Sequence, residues 1–242
     1  MSGRRGAALV VVLWLIVILS AIGTEVAVAT RSSTGLAANY RARVVARYAA
    51  ESGVEAAVAT LEDRLASARD QEARRAYLNA LGTALDWGEA LPLGEGRVAV
   101  ALIDPGSRLD VNTAAASQLT TLFAYFIDPM RAADAAAAVR GAVEARPLAS
   151  LDELSRVPGV PPELIAQASG LLTVDGDGTI NRATASDTVL AVAGGELRDE
   201  PARIVVVSRG WQDGHRLTHE IEAVYAVVGN ELALVRWRER DL

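Results

Sequence analysis

The strongest constraint on this chain is an apolar run that begins directly after a short basic start. Met1-Ser2-Gly3-Arg4-Arg5-Gly6 gives way to an apolar stretch over residues 7–22, broken only by Ser20. At ~1.5 Å of rise per residue this makes roughly 24 Å of helix, short of the ~30 Å hydrocarbon core of a bilayer. Beyond Gly23, Thr24 and Glu25, Val26-Ala27-Val28-Ala29 continues the pattern. With Glu25 snorkelling to the headgroups the helix is long enough to span, and the two leading arginines favour a cytoplasmic N-terminus. Three readings of the segment compete. Ala27-Val28-Ala29 has the small-x-small form at which a secretory signal peptide is cut. The run also fits a plain signal anchor. In the third reading a short basic leader is cut directly after Gly6, so that the apolar run stays on the mature chain as anchor and packing helix. The third is favoured, because the basic stretch ends in glycine where the apolar run starts.

The rest of the chain is consistent with one large domain or two small ones behind that anchor: 242 residues, of which 51% are hydrophobic, support a core as well as a membrane segment. Net charge is −6, which disfavours nucleic-acid phosphates as partners. With no cysteine, disulfide scaffolds, thiolate metal sites and thiol catalysis are excluded.

Past Arg31 the sequence turns polar and stays helical. Val54, Val58, Leu61 and Leu65 recur at helical spacing and predict one buried face. Arg41, Arg43, Arg47, Glu51, Glu55, Glu62, Asp63 and Arg64 suit a solvated or subunit-facing surface. No proline precedes Pro92, so a nearly continuous helix over residues 7–65 is expected, with Gly23, Gly35 and Gly53 as weak points. Residues 86–96 are rich in turn-formers. Residues 97–103 then read as a strand, and the next strands come only at 203–208, 217–227 and 232–237, separated by turns at Asp213-Gly214 and Gly229-Asn230.

Between these strands, residues 104–200 read as an almost wholly helical block with an internal repeat. Leu109-Asp110-Val111-Asn112-Thr113-Ala114 recurs 71 residues later as Ile180-Asn181-Arg182-Ala183-Thr184-Ala185. Thr113 and Thr184 are candidate helix caps. In Pro147–Val160, Ser150 and Glu153 stand in capping-box register, Leu151, Leu154 and Val157 form a stripe, and Pro158-Gly159 makes a turn, as in half of a helix-hairpin-helix. DNA-binding forms use a second glycine whose amide meets phosphate. Here that place is Pro161, which has no amide hydrogen, with Glu163 close behind.

Arg4-Arg5-Gly6-Ala7-Ala8-Leu9-Val10-Val11-Val12-Leu13-Trp14, followed by strand, helical insertion and closing strands, resembles the K-type minor pseudopilins of the bacterial type II secretion system (the general secretion pathway protein K family). The resemblance runs along nearly the whole chain. It implies a prepilin-type leader over residues 1–6, cut by a prepilin peptidase between Gly6 and Ala7, with methylation of the new Ala7 amine. Most pilins carry Glu as the fifth mature residue; this chain has Val11, a departure that the K-type family shares and that marks a filament-tip subunit. The implied fold is α+β: a pilin-like long N-terminal helix packed on a small antiparallel sheet, with a large all-α insertion of helix-hairpin-helix or SAM-like repeats between the first and second strands. The expected division is a transmembrane helix over 7–29, stem and first strand over 30–103, insertion over 104–200 and β-meander over 201–242. The resemblance further implies I- and J-type minor pseudopilins and the major pseudopilin as partners, and a single pass through the inner membrane with the soluble part in the periplasm. The other reading is a membrane-tethered helix-hairpin-helix DNA-binding module of the DNA-uptake kind.

Asp175-Gly176-Asp177-Gly178-Thr179 places acidic residues alternately in a glycine-rich loop, which makes Asp175 and Asp177 candidate calcium ligands. It is not an EF-hand, since Ile180 and Ser186 occupy the positions that need Gly and Glu, and a solvated turn is the competing reading. The K-type resemblance implies calcium in the inserted region; no other cofactor is expected. His215 and His219 fall in a predicted hairpin, where they would stand about 13 Å apart, too far for a zinc pair. No paired carboxylates, nucleophile elbow or phosphate-binding loop is present, so no catalytic residue is assigned and an enzyme is not expected.

Overall fold

The computed structural model describes residues 3–194 and 196–242; in the first helix the described side chains are Trp14, Leu19, Ser20, Thr24, Glu25 and those from Leu36 onward. Helix α1 runs unbroken over Gly3–Ala66. Residues 7–65 were expected to be helical, and they are. Helix α2 (Gln71–Asn79) follows, its first turn capped by the Asp70 carboxylate, which accepts from the Ala73 amide at 2.8 Å. Strands β1 (Leu91–Leu93) and β2 (Gly96–Ile103) form a hairpin across Gly94, whose positive φ of 59° suits glycine. Then come β3 (Leu109–Asp110), α3 (Ala116–Phe123), α4 (Pro129–Ala145), α5 (Pro162–Ala168), β4 (Leu172–Thr173), β5 (Ile180–Asn181), α6 (Asp187–Val192) and β6 (Leu197–Arg198). Three long strands close the chain: β7 (Arg203–Gln212), β8 (Thr218–Val228) and β9 (Glu231–Asp241). Their turns fall at Asp213-Gly214 and Gly229-Asn230 as expected.

The main sheet has order β1-β2-β7-β8-β9 and is antiparallel throughout. Helix α1 lies on one face of it. Val54, Leu61 and Leu65 are buried there, with Val58 half-buried, as the helical spacing predicts. They meet Ile204, Val206, Ile221, Ala223 and Tyr225 from the strands. A second core fills the inserted segment around Phe123, Leu119, Leu122, Val139, Leu154 and Leu164.

Several expectations need correction. The insertion lies between β2 and β7, the second and third strands of the main sheet, because β1 precedes the strand read as first. Leu91-Pro92-Leu93 is short, exposed and lacks an amide at Pro92, so it carries no strand signature, yet it suits a sheet edge. The insertion is also not all-α. Two parallel ladders of two residues each, β3 with β4 and β5 with β6, tie it together. Thr113 and Thr184 are not the caps: α3 and α6 start at Ala116 and Asp187, with Ala115 and Ser186 at N-cap. Ser150 makes no side-chain cap either, since the segment Leu151–Arg156 is 3-10 helix and Glu153 reaches back one residue further, to the Ala149 amide at 3.2 Å.

The repeat itself is structural. In both copies a two-residue parallel ladder leads into a turn whose first side chain accepts from an amide two residues on. Asp110 Oδ1 takes the Asn112 amide at 2.9 Å, and Asn181 Oδ1 takes the Ala183 amide at 3.1 Å. The backbone oxygens of Asp110 and Asn181 then receive the amides of Ala114 and Ala185 at 2.8 and 2.9 Å. The helices α3 and α6 begin at equivalent positions, Ala116 and Asp187.

Candidate functional site

The stem presents two faces. Toward the sheet it is lined with small residues: Ala42, Ala46, Ala49 and Ala50 are buried, and Gly53 lies against the strands. A Cβ on Gly53 would overlap Ser208 Oγ and Val98 Cγ2, and one on Gly210 of β7 would overlap the Ala46 carbonyl and the Ala50 amide. Gly53 is therefore a point of close approach, and α1 passes through it without a break. Away from the sheet, Leu36, Tyr40 and Tyr48 are 69%, 72% and 64% exposed, and nearer the front Trp14 and Leu19 stand out as well. The charged residues of the stem are partly tied down: Arg41 pairs with Glu95, Arg43 with Asp241 and Arg47 with Glu51. Glu62 accepts from the Leu232 amide at 2.9 Å.

The side chains of Gly6, Ala7 and Val11 lie outside the described residues, as do most in the apolar run over residues 7–22. Among the described residues no helix is long and apolar enough to cross a membrane.

The glycine-rich loop over residues 175–178 is where the inserted segment meets the sheet. Arg203 of β7 donates to the carbonyls of Asp175 and Gly176. The Asp175 carboxylate faces the guanidiniums of Arg236 and Arg238 on β9. Gly176 lies against the Asp110 side chain, and Gly178, at φ 92°, lies against Thr113. Asp177 turns its Oδ1 to its own loop, accepting from the Thr179 amide at 3.0 Å and hydroxyl at 2.7 Å. Asp175 and Asp177 are candidate ligands from the sequence, with a solvated turn as the competing reading; the structure gives them separate protein partners. Among the described residues no group of three or more His, Asp or Glu side chains is assembled to hold a metal. A cation at Asp175 would have to displace two arginines, so this arrangement does not fit a calcium site and no step is derived through one.

Two buried aspartates beside this loop were not singled out from the sequence. Asp104 is fully buried and its Oδ2 accepts from Asn181 at 2.7 Å and Thr184 at 2.5 Å, while its Oδ1 takes the Gly106 amide at 2.8 Å. Burial pushes its carboxyl up, these three hydrogen bonds hold it down, and the nearby Asp177 charge adds a further upward push. Asn181 also reaches Asn79 at the end of α2, at 2.9 Å. Asn181 and Thr184 belong to the repeat, which is the signal that marked them.

Burial raises the Asp110 carboxyl from 3.8 to about 6; the Asn112 amide and the Arg203 and Arg236 guanidiniums oppose this, and the Asp177 charge adds to it. The folded state thus favours the protonated form. Its contribution is complete below the ordinary value of 3.8 and is lost as pH rises through about 6. The rise corresponds to about 3 kcal/mol. Asp110→Asn keeps an oxygen for the Asn112 amide, so the variant is expected to exceed the parent in stability by about 2–3 kcal/mol at pH 8 and to match it near pH 4. Urea unfolding of the full chain in detergent, with a chelator present, measures this.

His219 lies on β8 between Asp241 and Glu239, and His215 sits in the turn before it, where Gln212 accepts from its backbone amide. The two histidines do not converge on a common site.

A family model described as PilX N-terminal matches residues 5–55, which cover most of α1. No curated protein sequence matches the chain. A chain of the crystal structure of the GspK-GspI-GspJ complex from the enterotoxigenic Escherichia coli type 2 secretion system superposes with a TM-score of 0.56 at 13% identity, covering 82% of this chain and 99% of that one. At that identity the likeness is one of fold. Together with the matched N-terminal segment it supports the resemblance read from the sequence: this chain has an α+β fold, a long N-terminal helix packed on an antiparallel sheet, like that of a chain of the GspK-GspI-GspJ complex.

Proposed function

We propose that this chain is a K-type minor pseudopilin that stands at the tip of a type II secretion pseudopilus, helps initiate the filament and supports protein export. The observation that carries the reading is one continuous helix, α1, that contains the apolar run behind Gly6 and ends packed on a sheet whose second and third strands are parted by a large module. The first part suits packing in a membrane and then in a filament. The module adds bulk that a repeating subunit would have to accommodate at every position but a tip subunit accommodates once. The fold likeness to a chain of the GspK-GspI-GspJ complex supports I- and J-type minor pseudopilins as partners. They would meet the exposed Leu36, Tyr40 and Tyr48 on a helix already ordered by the sheet behind it. The role is structural, with a single pass in the inner membrane and the sheet and module in the periplasm. DNA binding has little support: Pro161 offers no amide to a phosphate, and Glu163 stands beside Arg131 at 3.6 Å.

Mass spectrometry of the mature N-terminus tests the processing. Ala7 carrying a methyl group is the expected first residue, and Thr30 in that place would sink the reading. At the tip a subunit has no amine ahead of it for a fifth-position carboxylate to neutralise, and an unpaired buried carboxylate is costly. Val11→Glu is therefore expected to leave the soluble part folded and to lower secretion. Secretion at the parent level in that variant counts against the tip position.

A further inference from the structure

The ring of His219 is held between two carboxylates at the end of β9, and the residue is only 7% exposed. Nδ1 lies 2.8 Å from Oδ1 of Asp241 and Nε2 lies 3.4 Å from Oε2 of Glu239. An ionised carboxylate only accepts hydrogen bonds. A neutral imidazole has a single N–H, so one of its nitrogens would turn a lone pair toward an acceptor. An imidazolium donates to both. The same carboxylates are gripped from the stem: Arg43 Nη2 lies 3.0 Å from Oδ2 of Asp241, and Arg47 Nη2 lies 3.7 Å from Oε2 of Glu239. Arg47 is shared with Glu51 at 2.8 Å. On β7 the residue in register with His219 is Gly210, which brings no charge. The next acid on β8, Glu220, is taken by Arg209 and Arg240. Beyond the ring, Thr218 and Leu242 exchange two backbone hydrogen bonds that close the last pair of the sheet.

We infer that His219 is a proton-operated latch, whose imidazolium fastens the C-terminal end of β9 between β8 and the stem helix and whose deprotonation releases it. Asp241 sets the acid limit. The hydrogen bond from His219 holds its carboxyl below the usual carboxylate range, with the Arg43 and His219 charges adding and burial opposing. Its contribution is therefore present above the ordinary carboxylate value and is lost only as pH falls through that lowered value. While both carboxylates are ionised and the ring carries its second proton, the three-part contact of ring, carboxylates and stem arginines is complete.

Amide hydrogen exchange of the full chain in detergent, read on a peptide covering residues 231–242 and corrected for the intrinsic pH dependence of exchange, tests this. Protection at pH 6 is expected to be about tenfold that at pH 8.5, the size of one charge-assisted hydrogen bond. In His219→Gln the difference is expected to vanish. In Glu239→Gln it is expected to shrink, because the new amide can donate to a neutral ring nitrogen. An absent difference in the parent overturns the latch. So does a difference that survives in His219→Gln, or one of equal size in peptides from α4, which would mark a global change.

Discussion

Gly210→Val is expected to unfold the pairing of stem and sheet. A side chain at this position of β7 enters the space of the Ala46 carbonyl and the Ala50 amide, both backbone atoms in the middle of α1. Neither can turn aside as a flexible side chain would. The helix must lift from the strands, and Ala46, Ala50 and Val54 lose their contacts with it. Overpacking costs about 1–3 kcal/mol where side chains can adjust. With backbone on both sides the loss is expected to be about 3 kcal/mol or more, and a 3 kcal/mol loss lowers the Tm of a chain this size by about 6–12 °C. Thermal unfolding by circular dichroism measures it. Gly53→Ala, where the clash is with Ser208 Oγ and Val98 Cγ2, is expected to cost less, and Ser208→Gly is expected to restore part of that loss. Equal stability of Gly210→Val and the parent would show that the stem does not sit this close.

Phe123→Ala is expected to produce the other large effect, and in a different place. Phe123 is the largest fully buried side chain of the module, 1% exposed, packed in the cluster that includes Leu119, Leu122 and Val139. Truncating a buried phenylalanine costs about 3–5 kcal/mol, combining lost transfer energy with the cavity left behind. The stem and sheet have a separate core built on Leu61, Ile204 and Ile221. Hydrogen exchange is therefore expected to accelerate across α3 and α4 while β7 and β8 keep their protection. Uniform acceleration over both regions would mean that the two cores melt as one unit.

Much of this architecture was legible in residue order. The stem was legible because apolar spacing and the absence of proline extend over the whole of α1. The long strands β7, β8 and β9 were legible because glycine turns mark both ends of β8. Strand β1 was not, since three residues with a central proline give no periodic signal and depend on β2 for their conformation. The small ladders of the module were hidden for the same reason: two residues have no period. The repeat did point to Asn181 and Thr184, but not to the fact that Asp104, outside the repeat, gathers them. The partners of Asp175 were hidden too. Acidic residues alternating with glycines look alike in sequence whether they face a cation or the guanidiniums of Arg236 and Arg238, and only the tertiary fold brings β9 across the loop.

The position of the module also bears on how the chain folds. Ile103 and Val205 are partners in the β2–β7 ladder, although about a hundred residues of chain separate them, a separation whose closure entropy grows only slowly with length but delays the contact. The module ends are held near each other by its own contacts, with Asp104 gripping Asn181 and Thr184 across the repeat. A module that folds first turns the β2–β7 pairing into a short-range event, equivalent to closing an ordinary hairpin. The folding rate of the sheet then depends on residues that never touch it, and a destabilised module should slow the sheet without weakening any of its own hydrogen bonds.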